Sequence, residues 1–171
     1  MWKKISMKKY GEYRNGDFPE DYELWLRWLN KGAKIGKVNS TVLQWNDSKG
    51  RLTRIHPSYS TNAFYMVKSM YLSDWLKENN PFHPNVLIWG ASRIQRNRAK
   101  ILQESGIQIE GYIDISDKRQ TGDKIILYTQ LNQPGKSYIL VYVPQNHLKE
   151  NIKSYLIKKG YIEGVHFLFV A

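Results

Sequence analysis

Val86-Leu87-Ile88-Trp89-Gly90-Ala91-Ser92-Arg93-Ile94-Gln95-Arg96 is the stretch that decides the fold of this chain. Four apolar residues in a row, with no polar alternation, fit a short strand buried on both faces. Gly90-Ala91-Ser92 turns the chain, and a helix follows to about Ser105, where Gly106 stops it. Working outward, Ile107–Ile113 reads as a second strand and Lys124–Tyr128 as a third. Tyr138-Ile139-Leu140-Val141-Tyr142-Val143 is a continuous apolar run, as a central parallel strand should be. A helix from about Asn146 to Lys159 ends at Gly160, a good C-cap residue, and His166–Val170 supplies the last strand. Strands alternating with helices predict an α/β fold: a small doubly wound, mainly parallel Rossmann-like sheet over residues 81–171.

A strand, a glycine and a helix N-terminus together make the place where such domains hold phosphates. Asp114 ends the second strand about twenty residues on, where a Rossmann acid contacts a ribose. The dinucleotide fingerprint asks for glycine at its first, third and sixth positions, and here these are Gly90, Ser92 and Gln95. Two missing glycines argue against dinucleotide binding in the usual mode. Arg93 and Arg96 offer a phosphate an alternative hold, or form a solvated helix face. Gly90, Ser92, Arg93, Arg96 and Asp114 are therefore a candidate nucleotide site, beside a structural or regulatory reading of the same residues.

Residues 1–80 have a different pattern. Phe18-Pro19-Glu20-Asp21-Tyr22-Glu23-Leu24-Trp25-Leu26-Arg27-Trp28-Leu29 predicts an amphipathic helix over about 18–31, with Leu24, Trp25, Trp28 and Leu29 as its apolar face. Asp17 is placed to act as N-cap, with Glu20 in capping-box position. Glu20 and Asp21 sit at the positive end of the helix dipole, which favours their ionised forms. Two readings fit this pair: capping alone, or a charged carboxylate held on a rigid element as a general base. Beyond it, Ala33–Val38 reads as extended, Thr41–Trp45 as a strand, Asn46–Arg51 as a polar loop and Pro57–Lys77 as a long helix. Lys77–Pro81 closes this part as a linker. No internal repeat or low-complexity tract is present.

Pro19-Glu20-Asp21-Tyr22-Glu23-Leu24-Trp25-Leu26-Arg27, with Gly32 shortly after, resembles the Glu-Asp segment of family 2 glycosyltransferases, which have the GT-A fold. The likeness continues through Val42–Trp45, Arg51–Arg54 and Tyr59–Phe64. It implies inverting sugar transfer from a nucleotide-sugar to a glycan or lipid-linked acceptor. Asp21 then takes the acceptor's proton and Glu20 supports it. Arg51 and Arg54, on a loop that can close over the donor, are candidates to steady the departing diphosphate. The ending Gly160–Ala171 is similar to the small Rossmann-like module that follows this region in some bacterial family 2 enzymes.

The resemblance covers only the C-terminal part of the family's architecture. The seventeen residues before Phe18 cannot form a nucleotide-binding half, since one βαβ unit needs about thirty. The Asp-x-Asp motif that holds a divalent cation (Mg or Mn) is absent as well. The expectation is a fragment, a remnant or one piece of a split enzyme, inactive alone and covered by a missing GT-A half or by self-association. The competing expectation is a non-enzymatic module that senses a nucleotide or docks a partner through its α/β domain.

Composition narrows the remaining classes. Lys and Arg number 26 against 15 Asp and Glu, a net charge of +11. The cations are spread in small clusters rather than one block, which does not favour nucleic acid. They do suit phosphates or peripheral contact with an anionic inner membrane from the cytoplasm. The chain has no cysteine, which removes disulfides, thiolate zinc sites and Cys nucleophiles. His56, His83, His147 and His166 have no ligand spacing, so no metal site is expected. Gly135-Lys136-Ser137 lacks the upstream glycine of a P-loop, and no Gly-x-Ser-x-Gly elbow surrounds a serine. No apolar run approaches the ~18 residues that span a bilayer, and Met1–Ser6 lacks the apolar core of a signal peptide.

Overall fold

The structure, a computed structural model, describes residues 4–36, 38–44, 55–116 and 122–171. The chain divides into two compact units, Met1–Leu72 and Ser73–Ala171.

In the first unit, α1 spans Lys4–Tyr10, α2 Glu20–Asn30, and a 3-10 turn Pro57–Tyr59. Helix α3, Thr61–Asn79, begins in this unit. The long helix expected from residue 57 is thus interrupted at Ser60, whose backbone is extended. The 3-10 turn is instead capped by His56, whose Nδ1 accepts the Ser58 amide at 3.3 Å.

Helix α2 buries a different face from the one its apolar spacing suggests. Leu24 and Trp28 are buried, but Trp25 is only half-buried and Leu29 is 48 % exposed. Glu23 and Arg27 take the remaining buried places. The expected Asp17 cap is also replaced. Pro19 is the N-cap, with no side-chain cap bond, and its carbonyl accepts the Glu23 amide at 2.9 Å. Glu20 does not close a capping box, because its carboxylate is engaged by Tyr59.

The expected strand at 41–45 does not form over its described residues, 41–44. Val42 and Leu43 are largely exposed. An apolar β-branched run becomes a strand only when another strand pairs with its backbone, and among the described residues none does. Lys37, Trp45 and the loop 46–51 lie outside the described residues.

The second unit is α/β, as expected. Its strands are β1 Asn85–Trp89, β2 Gln108–Asp114, β3 Ile125–Leu127, β4 Tyr138–Val141 and β5 Phe167–Phe169. Helix α4, Arg93–Glu104, joins β1 to β2, and α5, Asn146–Lys158, joins β4 to β5. All five strands are parallel, in the order β3-β2-β1-β4-β5. The chain moves one way across the sheet from β1 to β3, then returns to lay β4 on the other side of β1. Right-handed crossovers in opposite directions place their helices on opposite faces.

The burial pattern agrees. Ile152 and Leu156 of α5 pack with Trp89, Ile113, Ile139, Val141 and Phe167 on one face. Alternation sends Val86, Ile88 and Leu140 to the other, where α4 buries Ala99 and Leu102. The last turns of α3 join the α4 side, with Ser73 Oγ donating to the Ser105 carbonyl at 2.9 Å and Trp75 edge-on to Tyr138. Each aliphatic side chain sealed this way contributes about 1.5–3 kcal/mol of hydrophobic free energy. The crevice between β1 and β4 is where the strand order reverses, at the carboxyl ends of the strands.

Candidate functional sites: an acid pair on α2 and a cleft at the strand ends

Glu20 and Asp21 occupy the exposed first turn of α2. Glu20 Oε2 accepts the Tyr59 hydroxyl at 2.5 Å, and Asp21 Oδ1 accepts the Tyr22 amide at 2.8 Å. The pair creates a negative field. The bond to Glu20, then burial and the charges of Glu20 and Asp21, push Tyr59 up to about 12. Tyr13 is raised too, by burial first and then by the charges of Asp21 and Glu20.

The helix carrying the pair is held firmly from below. Glu23, 1 % exposed, bonds Arg27 Nε at 2.9 Å and accepts the Tyr71 hydroxyl. Burial alone would raise the Glu23 carboxyl, but Arg27 and Tyr71 outweigh it and the net shift is downward. Tyr71 is pushed up to about 12 by burial and then by its bond to Glu23. Arg27 also donates to the carbonyls of Tyr10 at 3.0 Å and Glu12 at 2.6 Å, and Trp28 Nε1 to that of Gly11 at 2.9 Å. Gly11 has φ +101, and a Cβ there would lie 2.6 Å from the Arg27 guanidinium. Only glycine lets this loop lie against the arginine. An exposed carboxylate pair on a helix so anchored can accept a proton without the backbone moving. Arg51 and Arg54 lie outside the described residues.

The second unit has a cleft of about 680 Å³ at the carboxyl ends of its strands. Gly90, Ser92 and Asp114 all line it, so the topology brings together these three of the sequence candidates. Arg93 and Arg96 are not among its lining residues. Arg93 is exposed, and Arg96 reaches Asp123 at 3.7 Å. Asp114, 8 % exposed, braces the turn: its Oδ2 accepts the Ala91 amide at 3.3 Å and its Oδ1 the Ile115 amide at 2.7 Å.

Gln95 is a central residue of this turn that the glycine pattern passes over. Its Oε1 accepts the Ser92 amide at 2.8 Å, Ser92 Oγ accepts the Gln95 amide at 3.4 Å, and its Nε2 reaches the Tyr142 carbonyl at 3.3 Å. This is a capping box, and Ser92-x-x-Gln95 is its sequence signature. The aromatic wall of the cleft, Trp89, Tyr128 and Tyr155, gives no local signal, because its members come from three separate elements.

Among the described residues, no three His, Asp or Glu side chains come together to hold a metal ion. No helix among them is long and apolar enough to cross a membrane. No protein-family model, no curated protein and no solved structure matches this chain.

Proposed function

We propose that the first unit is the acceptor side of a family 2 glycosyltransferase, with Asp21 as catalytic base. The observation that carries this reading is the exposed Asp21 carboxylate on a helix locked by Glu23, Arg27 and Tyr71, beside a Glu20 oriented by Tyr59. In the reaction, the acceptor hydroxyl attacks the anomeric carbon of a nucleotide-sugar. Asp21 takes the hydroxyl proton, the bond from sugar to diphosphate breaks, and the nucleoside diphosphate leaves with the electron pair. Arg51 and Arg54 steady that leaving group in this reading. The given residues carry no Asp-x-Asp motif for the donor's cation, so transfer by this chain alone is expected to be nil.

An amide NMR titration of the full chain with UDP-sugars, NAD(H) and CoA tests the reading. Shifts centred on Asp21 and the residues around Tyr59 support it. Shifts confined to Gly90–Arg96 and Asp114 favour the binding-module reading instead, and turnover retained by Asp21→Asn in a complete parent enzyme overturns Asp21 as base. In a complete parent enzyme, Asp21→Asn should abolish turnover while leaving donor affinity nearly intact.

The cleft of the second unit favours a second reading, a non-enzymatic module that senses a small ligand or docks a partner. That cleft stands where open α/β sheets receive ligands, at the reversal of strand order.

A further inference from the structure

The walls of the strand-end cleft select a class of ligand. One wall is aromatic. Tyr155 stands edge-on to both Trp89, at 6.0 Å between centroids, and Tyr128, at 5.3 Å. The Tyr155 hydroxyl donates to the Tyr128 carbonyl at 2.7 Å, which fixes the ring. Gln145 and Asn151 also line the cleft, whereas the Gln95 carboxamide is spent on Ser92 and Tyr142. A carboxamide presents donor and acceptor side by side, matching the edge of a nitrogen heterocycle. The volume is within the usual range for small-molecule sites, roughly 300–1,000 Å³.

The same cleft is built against phosphate. Gly90 has φ +121, but the space above it is filled: a Cβ there would lie 2.8 Å from Gln95 Cδ and 2.9 Å from its Nε2. A pyrophosphate needs that space to approach the backbone. Four amides of this turn are already bonded within the chain. Gly90 donates to the Ile113 carbonyl, Ala91 to Asp114, Ser92 to Gln95 and Gln95 to Ser92. The chain has 26 Lys and Arg, yet none lines the cleft among the described residues. Among the described residues, the charged side chain that does is the Asp114 carboxylate.

We infer that this cleft binds an uncharged nucleoside, its planar base against Tyr128 and Tyr155, and that Gln95 keeps phosphorylated forms out. Nothing in the cleft depends on Asp21 or on transferase chemistry, so the two proposals fail separately.

The test is an amide NMR titration of the full chain with the four ribonucleosides and, in parallel, their monophosphates. Nucleosides at millimolar concentration should shift Gly90, Ile115, Gln145 and Asn151, with monophosphates weaker by at least about tenfold. Gln95→Ala should close that gap by about tenfold or more while nucleoside affinity changes little. Leu148→Glu, at the exposed mouth, should weaken nucleoside binding and leave the spectrum of the sheet unchanged. The inference is overturned if no nucleoside shifts these amides, or if a monophosphate binds the unsubstituted chain as tightly as its nucleoside. An unchanged gap in Gln95→Ala removes Gln95 from the excluding role.

Discussion

Glu23 and Arg27, one helical turn apart on α2, form a two-bond ion pair sealed from solvent, with Nε to Oε1 at 2.9 Å and Nη2 to Oε2 at 3.2 Å. The pair also ties α2 to the loop after α1, because the same guanidinium holds the Tyr10 and Glu12 carbonyls. Removing Arg27 strips the buried Glu23 carboxylate of its close counter-charge, although the Tyr71 hydroxyl still bonds it, and such a loss costs about 3–5 kcal/mol. Arg27→Ala should therefore destabilise the first unit by about that much, while the strands of the second unit keep their amide protection. Hydrogen exchange read unit by unit checks both halves of the expectation.

The same carboxylate makes the first unit sensitive to acid. The Glu23 pKa is depressed in the folded chain. Its contribution is therefore whole above its unfolded value, about 4.3, and is lost as pH falls through the lower folded value. Glu23→Gln should lower stability near neutral pH and flatten the loss seen on acidification. Thermal unfolding followed across the acid range, wild type against variant, gives the comparison. Parallel acid limbs in the two proteins would show that Glu23 is not the group responsible.

Glu20 and Tyr59 allow a more local measurement. Tyr59 stands at about 12 chiefly because its hydroxyl bonds the Glu20 carboxylate. Glu20→Gln replaces the anion with a neutral acceptor, so the Tyr59 pKa should fall toward the ordinary tyrosine value. Tyrosine Cζ resonances, assigned with Tyr59→Phe, report the titration directly. The exposed Glu20 side chain makes the substitution mild for stability, within about 0.5 kcal/mol. An unmoved Tyr59 titration would mean that the bond does not persist in solution.

Strands β1 and β4 were legible because parallel strands buried on both faces read as unbroken apolar runs, as Tyr138–Val143 does. The same signal misled at Val42 and Leu43, since local composition does not reveal whether a pairing strand is present. Helix α2 was legible as a helix, but not in its buried face. Glu23 and Arg27 look like solvent residues until Tyr71 supplies a partner from far along the chain. The cleft was half legible. Gly90, Ser92 and Asp114 follow a known spacing, and Gln95 is readable through its capping box. Tyr128 and Tyr155 meet Trp89 only because the strand order reverses beside β1.

Tyr138 carries the last expectation. The side chain is wholly buried at the start of β4, edge-on to Trp75, and its hydroxyl has no hydrogen-bond partner among the described residues. Burial, then the negative charge of Glu163, pushes its pKa upward, so the hydroxyl stays protonated. A buried hydroxyl without a partner costs about 1–3 kcal/mol of desolvation. Tyr138→Phe removes that cost and keeps the ring. The loss of one oxygen's packing offsets part of the gain, leaving a change between neutral and about 1 kcal/mol of stabilisation. Tyr155→Phe is the control, because it breaks a bond of 2.7 Å to the Tyr128 carbonyl and should cost about 1 kcal/mol. Urea unfolding of both variants gives the two signs, and a loss of more than about 1 kcal/mol in Tyr138→Phe would show that this hydroxyl is partnered in solution.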